Sequence, residues 1–549
     1  MDVKLNKEII QKYSIPLLLL IFFFLGFYIR ASWIDPELTH PGNLKAANAL
    51  YHSIISEFIA NTGDTQNYPY FLAENHDNVF SIVSQHFAIT VSSIIKITNL
   101  SNWSIAALLV SFFSALTIPL IFLIVKQLTN SEALSLLSAS FLVLPTPVET
   151  WFYQMYIGLW LQAAGLTVLL ISIYFLIRSF QEKTYPNLIA LGVAISALFI
   201  LFPIALIFIL PFLLILLAFL VREKVPQREK VKKLASFMII PLIANSLFLP
   251  IFLEGYFTNS GYSTFGVKSF DDIIQGQRVQ GIEGFGIIII VLFVLGSLQL
   301  LLNFKKYKGT IIFLLYSFAL LFLLPYIAPR GITVYLIRMW VYLPILVLPI
   351  AAYGLYAIII KNITKNIKIN EILIIGIISV ILIGIAIPQT KELNKNLSYE
   401  NVDATKYKAF NWLATHTDPY SNVFLLEGAY QGENYYTQRN SYTVTIEELQ
   451  QKVNQFFTTQ TLSTDFHSGY SNAARWSLYK YRTGYYSFEQ YEPLSIDVHI
   501  DDFDYVVVQN LNEPVTQYNQ AILAYLIDNK GYAPVYEQDS FIIVKKPAI

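Results

Sequence analysis

The sequence predicts a polytopic α-helical membrane protein with about eleven spans, followed by a C-terminal α/β domain outside the cytoplasm. Three observations carry this reading. The 549 residues are 55% hydrophobic and only 13% charged, against about 25% charged in a soluble domain. The deficit is confined to residues 14–388, while 389–549 read as ordinary soluble sequence. That composition shift divides the chain into a membrane domain, 1–388, and a soluble domain, 389–549. The apolar runs are too long and continuous for barrel strands, and only helices or closed barrels satisfy the backbone in hydrocarbon.

Twelve runs are candidates: 14–30, 80–98, 104–125, 132–147, 155–177, 187–202, 203–221, 234–253, 285–303, 310–328, 335–359 and 371–388. The first follows Lys4, Lys7 and Lys12. The residues Leu25 to Arg30 make a poor small-residue cleavage site, so the run reads as a signal anchor with a cytoplasmic N-terminus. Positive loops set sidedness. Arg222, Lys224, Arg228, Lys230, Lys232 and Lys233 mark one cytoplasmic loop, Lys305, Lys306 and Lys308 a second, and Lys361, Lys365 and Lys368 a third.

The last span then carries the C-terminal domain outside, which requires an odd number of crossings. The run 80–98 is the weakest, broken by Ser81, Ser84, Gln85, His86, Ser92, Ser93 and Lys96. It is expected to lie at the outer surface. Residues 186–221, with Pro203 at their centre, become a hairpin of two short spans. Residues 30–103 become one large outer loop, rich in Asp35, Glu37, His40, Lys45, His52, Glu57, Asp64, Glu74, His76 and Asp77.

In the C-terminal part, 402–415 read as an amphipathic helix with Tyr407, Phe410 and Leu413 on one face. Asn422–Leu426, Asp504–Gln509 and Ser540–Lys545 read as strands, and 515–529 as a helix closed by Gly531. Many tyrosines serve packing, or carbohydrate or peptide contact. The net charge is zero and there is no basic tract, so nucleic acid is excluded as a partner. The absence of cysteine excludes disulfides, thiolate metal sites and cysteine nucleophiles.

Four stretches resemble the GT-C superfamily of membrane glycosyltransferases, nearest to the single-chain oligosaccharyltransferase catalytic subunit. RASWIDPELTHPGNLKAAN, from Arg30, follows the first span and contains Asp35-Pro36, where the family places an essential acidic residue. LPTPVETWFYQMYIGLW, from Leu144, resembles the second outer loop, with Glu149 where oligosaccharyltransferases usually have an acidic pair. YLIRMWVYLPILVLPIAAYGLY, from Tyr335, resembles the late helix that opens with an arginine. Phe410 to Val444 has the helix–strand–loop layout of the soluble domain. The sequon-reading Trp-Trp-Asp-Tyr-Gly is absent; Leu426-Glu427-Gly428-Ala429-Tyr430 stands at its place. Thr445-Ile446-Glu447-Glu448 mimics a family motif that lies elsewhere in the family, and the match is read as chance.

The resemblance implies transfer of a sugar or oligosaccharide from a polyprenyl- or dolichyl-(pyro)phosphate donor, in the cell membrane, to a protein, lipid or glycan acceptor. Such a displacement at the anomeric carbon needs a carboxylate for the acceptor and positive charge for the leaving phosphate. Asp35 is the first candidate for the carboxylate, with Glu37 and Asp77 as substitutes and Glu149 as partner; the bland reading of Asp35 is a helix end before Pro36. Arg338 lies three residues into an apolar helix, where a charge usually marks a functional cavity, and arginine pairs bidentately with phosphate. Its bland reading is snorkelling to the interface. Arg330, nearer the surface, is a second phosphate candidate or a structural residue.

Asp35 and Glu149 are the candidate ligands of a divalent metal, Mg or Mn. The histidines His40, His52, His76 and His86 share the outer loop with carboxylates, but their spacing matches no metal motif. Asp271, Asp272, Arg278 and Glu283 lie in a late outer loop, 254–284, that the resemblance implies is a mobile cover. Two rival readings stay open: a transporter or flippase, and an inactive glycan-assembly subunit of the same fold.

Overall fold

The computed structural model describes residues 3–32, 47–64, 86–100, 102–143, 160–258, 285–323, 339–363, 371–397, 404–426, 436–444, 446–470, 495–510 and 513–548. Up to residue 397 these are helical: α1 (Val3–Ala31), α2 (Ala47–Thr62), α3 (His86–Thr98), α4 (Asn102–Thr129), α5 (Glu132–Phe141), α6 (Trp160–Glu182), α7 (Tyr185–Leu201), α8 (Leu210–Arg222), α9 (Gln227–Thr258), α10 (Gly286–Leu302), α11 (Phe304–Phe322), α12 (Leu343–Leu355) and α13 (Glu371–Leu397). Each predicted apolar run overlaps one or more of these helices. Among the described residues four segments are long and apolar enough to cross a membrane: Tyr13–Ala31, Ser104–Thr129, Trp160–Glu182 and Leu343–Ile363. Phe87–Thr98, Tyr185–Leu201, Leu210–Arg222, Gly286–Leu302 and Glu371–Ile385 are apolar but shorter.

The expected count of about eleven spans therefore exceeds what helix length establishes. Two causes are visible. Around Pro203 the predicted hairpin breaks into α7, a 3-10 turn Pro203–Phe208, and α8, each half short because proline cannot continue the ladder. The helix α5 ends at Phe141, with Leu142 and Val143 closing it by bonds to Ala139 O and Ser140 O, short of the predicted 147.

Small residues set how closely the helices approach. A Cβ on Gly296 of α10 would fall on the Ile350 carbonyl of α12, and one on Gly354 on the Leu292 carbonyl. A Cβ on Gly192 would lie 2.7 Å from Phe237 O, across α7 and α9. Such backbone contact is how helices associate where lipid removes the hydrophobic drive. Helices α4 and α6 run side by side in the same direction, as the bonds Thr167 Oγ1 to Phe113 O (2.8 Å) and Gln181 to Gln127 show at equal separation along the chain.

From residue 404 the chain forms α14 (Ala404–His416), β1 (Asn422–Leu426), β2 (Asn440–Thr443), α15 (Ile446–Thr459), β3 (Asp465–Tyr470), β4 (Ser495–His499), β5 (Tyr505–Gln509), α16 (Val515–Ala524), β6 (Ala533–Gln538) and β7 (Phe541–Lys545). The strands make one seven-stranded sheet in the order β4-β3-β2-β1-β5-β7-β6. The centre is parallel, β2 and β5 on either side of β1, and both flanks are antiparallel. Side chains alternate between faces with period two. Val423, Leu425, Tyr505, Val507, Phe541 and Ile543 face one layer. Phe424, Leu426, Val506, Val508 and Val544 face the other, against Leu449 and Val453 of α15 and Tyr518 and Ile522 of α16. The three predicted strands and two predicted helices are present. Four strands and α15 are additional, and the strands among them are short or polar.

The first layer is covered from two parts of the chain. Ala409, Phe410 and Leu413 come from α14, and Ile54, Ile55 and Ile59 come from α2, far back in the first predicted outer loop. Glu57 of α2 hydrogen-bonds Gln438, just before β2.

Candidate active site

The candidate residues Asp35, Glu37, His40, Asp77, Glu149, Asp271, Asp272, Arg330 and Arg338 lie outside the described residues. The structure does place the helix ends from which their segments start. Arg30, on the last turn of α1, is buried, with 6% of its surface exposed. Its guanidinium donates to Gly26 O at 3.0 Å and to Leu142 O at 3.0 Å. The first acceptor is in its own helix; the second is the capping carbonyl of α5, 112 positions on. Carbonyls at a helix C-terminus have no partner within the helix and carry the negative end of its dipole, so a guanidinium is a fitting cap. The segment 33–46, with Asp35-Pro36, begins just beyond one end of this link. The segment 144–159, with Glu149, begins just beyond the other.

A third helix end belongs to the same neighbourhood. Helix α5 packs between α1 and α12. The Tyr356 hydroxyl, at the far end of α12, bonds Glu371 at 3.0 Å and also Ser131, the N-cap of α5. With those ends together the two helices run antiparallel. The stretch from Tyr356 to Leu343 covers about 20 Å and that from Ser131 to Leu142 about 17 Å at helical rise. The start of α12 and the end of α5 therefore stand at one level. Met339 and Tyr342, directly after Arg338, are buried, and the Tyr342 ring packs on Phe202 and Phe208 at 6.4 and 5.8 Å. The roots of the segments carrying Asp35, Glu149 and Arg338 thus lie on three adjoining helices.

The return of the second segment is fixed as well. Trp160, its first described residue afterwards, is buried against Phe87 of α3 and His52 of α2, at 5.7 and 5.8 Å between rings. Burial lowers the His52 pKa from 6.5 to about 4, so the imidazole is neutral at ordinary pH. The sequence grouped His52 with possible metal ligands; the structure puts its ring in a packed aromatic contact instead. Burial raises the Glu57 pKa, and the Gln438 bond opposes that rise. One helix, α2, therefore touches the sheet domain on one side and the end of the second segment on the other. Among the described residues no group of three or more His, Asp or Glu side chains is placed to hold a metal ion.

Arg30 was not among the residues that sequence reasoning selected. The signal was present: a lone arginine in the last turn of a long apolar helix, a rare and costly placement for a charge. The argument that selected Arg338 applies to it equally.

No protein-family model matches the sequence, and no curated protein matches it. Solved structures do. ArnT from Cupriavidus metallidurans in the apo state is similar over 96% of this chain and 97% of its own, with a TM-score of 0.55 at 12% identity. The chain shares the fold of this ArnT structure. ArnT bound to undecaprenyl phosphate matches over 97% of this chain and 97% of its own, TM-score 0.48 at 12% identity. The archaeal oligosaccharyltransferase AglB from Archaeoglobus fulgidus, in complex with an inhibitory peptide and a dolichol-phosphate, matches over 98% of this chain and 75% of its own, TM-score 0.46 at 12% identity. Among the described residues the helices up to residue 397 precede the seven-stranded sheet in the chain.

Proposed function

We propose that this chain is a GT-C glycosyltransferase of the cell membrane. It moves a sugar or oligosaccharide from a polyprenyl- or dolichyl-(pyro)phosphate donor to a protein, lipid or glycan acceptor on the outer face. The observation that carries the proposal is the set of adjoining helix ends at Arg30, Leu142 and Met339 within a fold shared with ArnT over nearly its whole length. In this reading the N-terminus is cytoplasmic and the sheet domain extracytoplasmic.

The acceptor's oxygen or nitrogen attacks the anomeric carbon as the bond from that carbon to the phosphate oxygen breaks. The phosphate leaves with the electron pair, and the acceptor's proton passes to a carboxylate. Asp35 is that carboxylate, with Glu37, His40 and Asp77 as neighbours in the same loop and Glu149 as its partner. Arg338 holds the leaving phosphate, assisted by Arg330, and Asp271 and Asp272 belong to the covering loop. The hard oxygen donors of Asp35 and Glu149 suit Mg or Mn, which when bound would offset negative charge on the leaving group.

Asp35→Ala and Arg338→Ala are each expected to lower transfer from a lipid-linked sugar by at least about a hundredfold, with unchanged thermal unfolding of the purified protein. Full activity in both variants removes the proposed site. Loss of transfer on chelation, restored by added Mg or Mn, checks the metal.

A further inference from the structure

We propose that Arg30 is a positioning residue, a strut that fixes the starts of the two acidic segments against each other; its part in catalysis rests on the transfer reading above. The geometry is specific. One guanidinium reaches two carbonyls, Gly26 O and Leu142 O, both at 3.0 Å. The absence of a side chain at Gly26 makes room for it, since a Cβ there would lie 3.2 Å from Arg30 Nη1 and would also meet Ile118 of α4. Beyond the strut the chain is short. Asp35 lies three residues past Ser32, and Glu149 six past Val143. Extended chain of those lengths spans at most about 10 and about 20 Å, so the spacing of the two starts bounds how far apart the two carboxylates can lie. Releasing it lets α1 and α5 part, and the spacing of the two carboxylates is no longer set.

Lysine can cap one of the two carbonyls but has no fork to bridge both. Arg30→Gln is therefore expected to lower kcat by about a hundredfold, the scale of a displacement of about 1 Å in a reacting group, with KM for the lipid-linked donor nearly unchanged. Arg30→Lys should fall between Arg30→Gln and the unaltered protein. A packing lesion elsewhere provides the control: Gly192→Ala should lower thermal stability and leave kcat of the folded fraction unchanged.

A second readout does not need activity. The chain has no cysteine, so Asp35→Cys combined with Glu149→Cys can be cross-linked with bismaleimides of graded length. The expected result is cross-linking with one preferred reagent length with Arg30 present, and a shift to longer reagents or lower yield with Arg30→Gln. Cross-linking unaffected by Arg30→Gln, or an unchanged kcat in that variant, overturns the strut. If the unaltered protein transfers no sugar while cross-linking still depends on Arg30, the strut stands and the transfer reading falls.

Discussion

In the helical part, the closest contacts are made where a side chain is missing, Gly296 on Ile350 O and Gly354 on Leu292 O. In the sheet domain they are made by large side chains, with Phe424 wholly buried between Phe466 and Phe503 at ring distances of 5.1 Å. Polar groups differ in the same way. Many serines and threonines of the helices bond back to their own helix, as Ser138 does to Leu134 O and Ser196 to Gly192 O. Arg439 in the sheet domain instead crosses to another element and caps α14 through Ala414 O and Thr417 O at 2.9 and 2.6 Å. Lipid is as apolar as the helix side chains, so apolar burial gives little drive there and backbone proximity decides. Water surrounds the sheet domain, and area removed from water decides.

This contrast can be broken by experiment. The largest effect is expected in the sheet domain: Phe424→Ala should lose about 3–5 kcal/mol, read by chemical denaturation followed at the sheet. A loss under about 1 kcal/mol would mean that the domain is not held by its core.

Next comes the seam between the two parts. His52 has its pKa lowered to about 4, whereas the unfolded chain binds that proton near 6.5. Stability from neutral His52 is full above about pH 6.5 and is lost as the pH falls, up to about 3 kcal/mol once it passes below about 4. Glu57, with a raised pKa, acts in the opposite sense, favouring the packed seam as pH falls. Acid-dependent exposure of α2, followed by hydrogen exchange and abolished in His52→Phe, checks the histidine's share. An unchanged acid response in that variant would assign the effect elsewhere.

The smallest effect lies among the helices. Gly296→Ala should cost about 1–3 kcal/mol by overpacking, seen as a lower melting temperature in detergent. Gly376→Ala and Gly384→Ala, at glycines with nothing within 4 Å of an added Cβ, should be neutral or slightly stabilising. Equal effects at all three would mean that close approach does not set the packing.

Much of the fold was legible because its signals are local. Pro203 marks the break between α7 and α8, and the continuous apolar runs Val423–Leu426 and Tyr505–Val508 mark two central strands, buried on both faces. Other strands gave little signal: Asn440–Thr443 is polar throughout, and Asp465–Tyr470 carries Asp465, His467 and Ser468. They are strands because β1 and β2 offer hydrogen bonds beside them, which no local pattern records. Of the candidate site, the sequence identified the charged residues and the segments bearing them, but not what brings those segments together. The bond from Arg30 to Leu142 O depends on tertiary placement alone. That α2 crosses to the sheet domain was equally hidden, because Ile54, Ile55 and Ile59 read as apolar positions of an outer loop with no stated partner.

The seating of α2 bears on how the chain can be cut. A gene fragment opening at residue 389 would carry every described strand yet lack Ile54, Ile55 and Ile59, leaving an apolar area beside Phe410 and Phe541 open to solvent. Expression of the isolated C-terminal half should therefore yield a sticky product, curable by fusing residues 47–62 ahead of it.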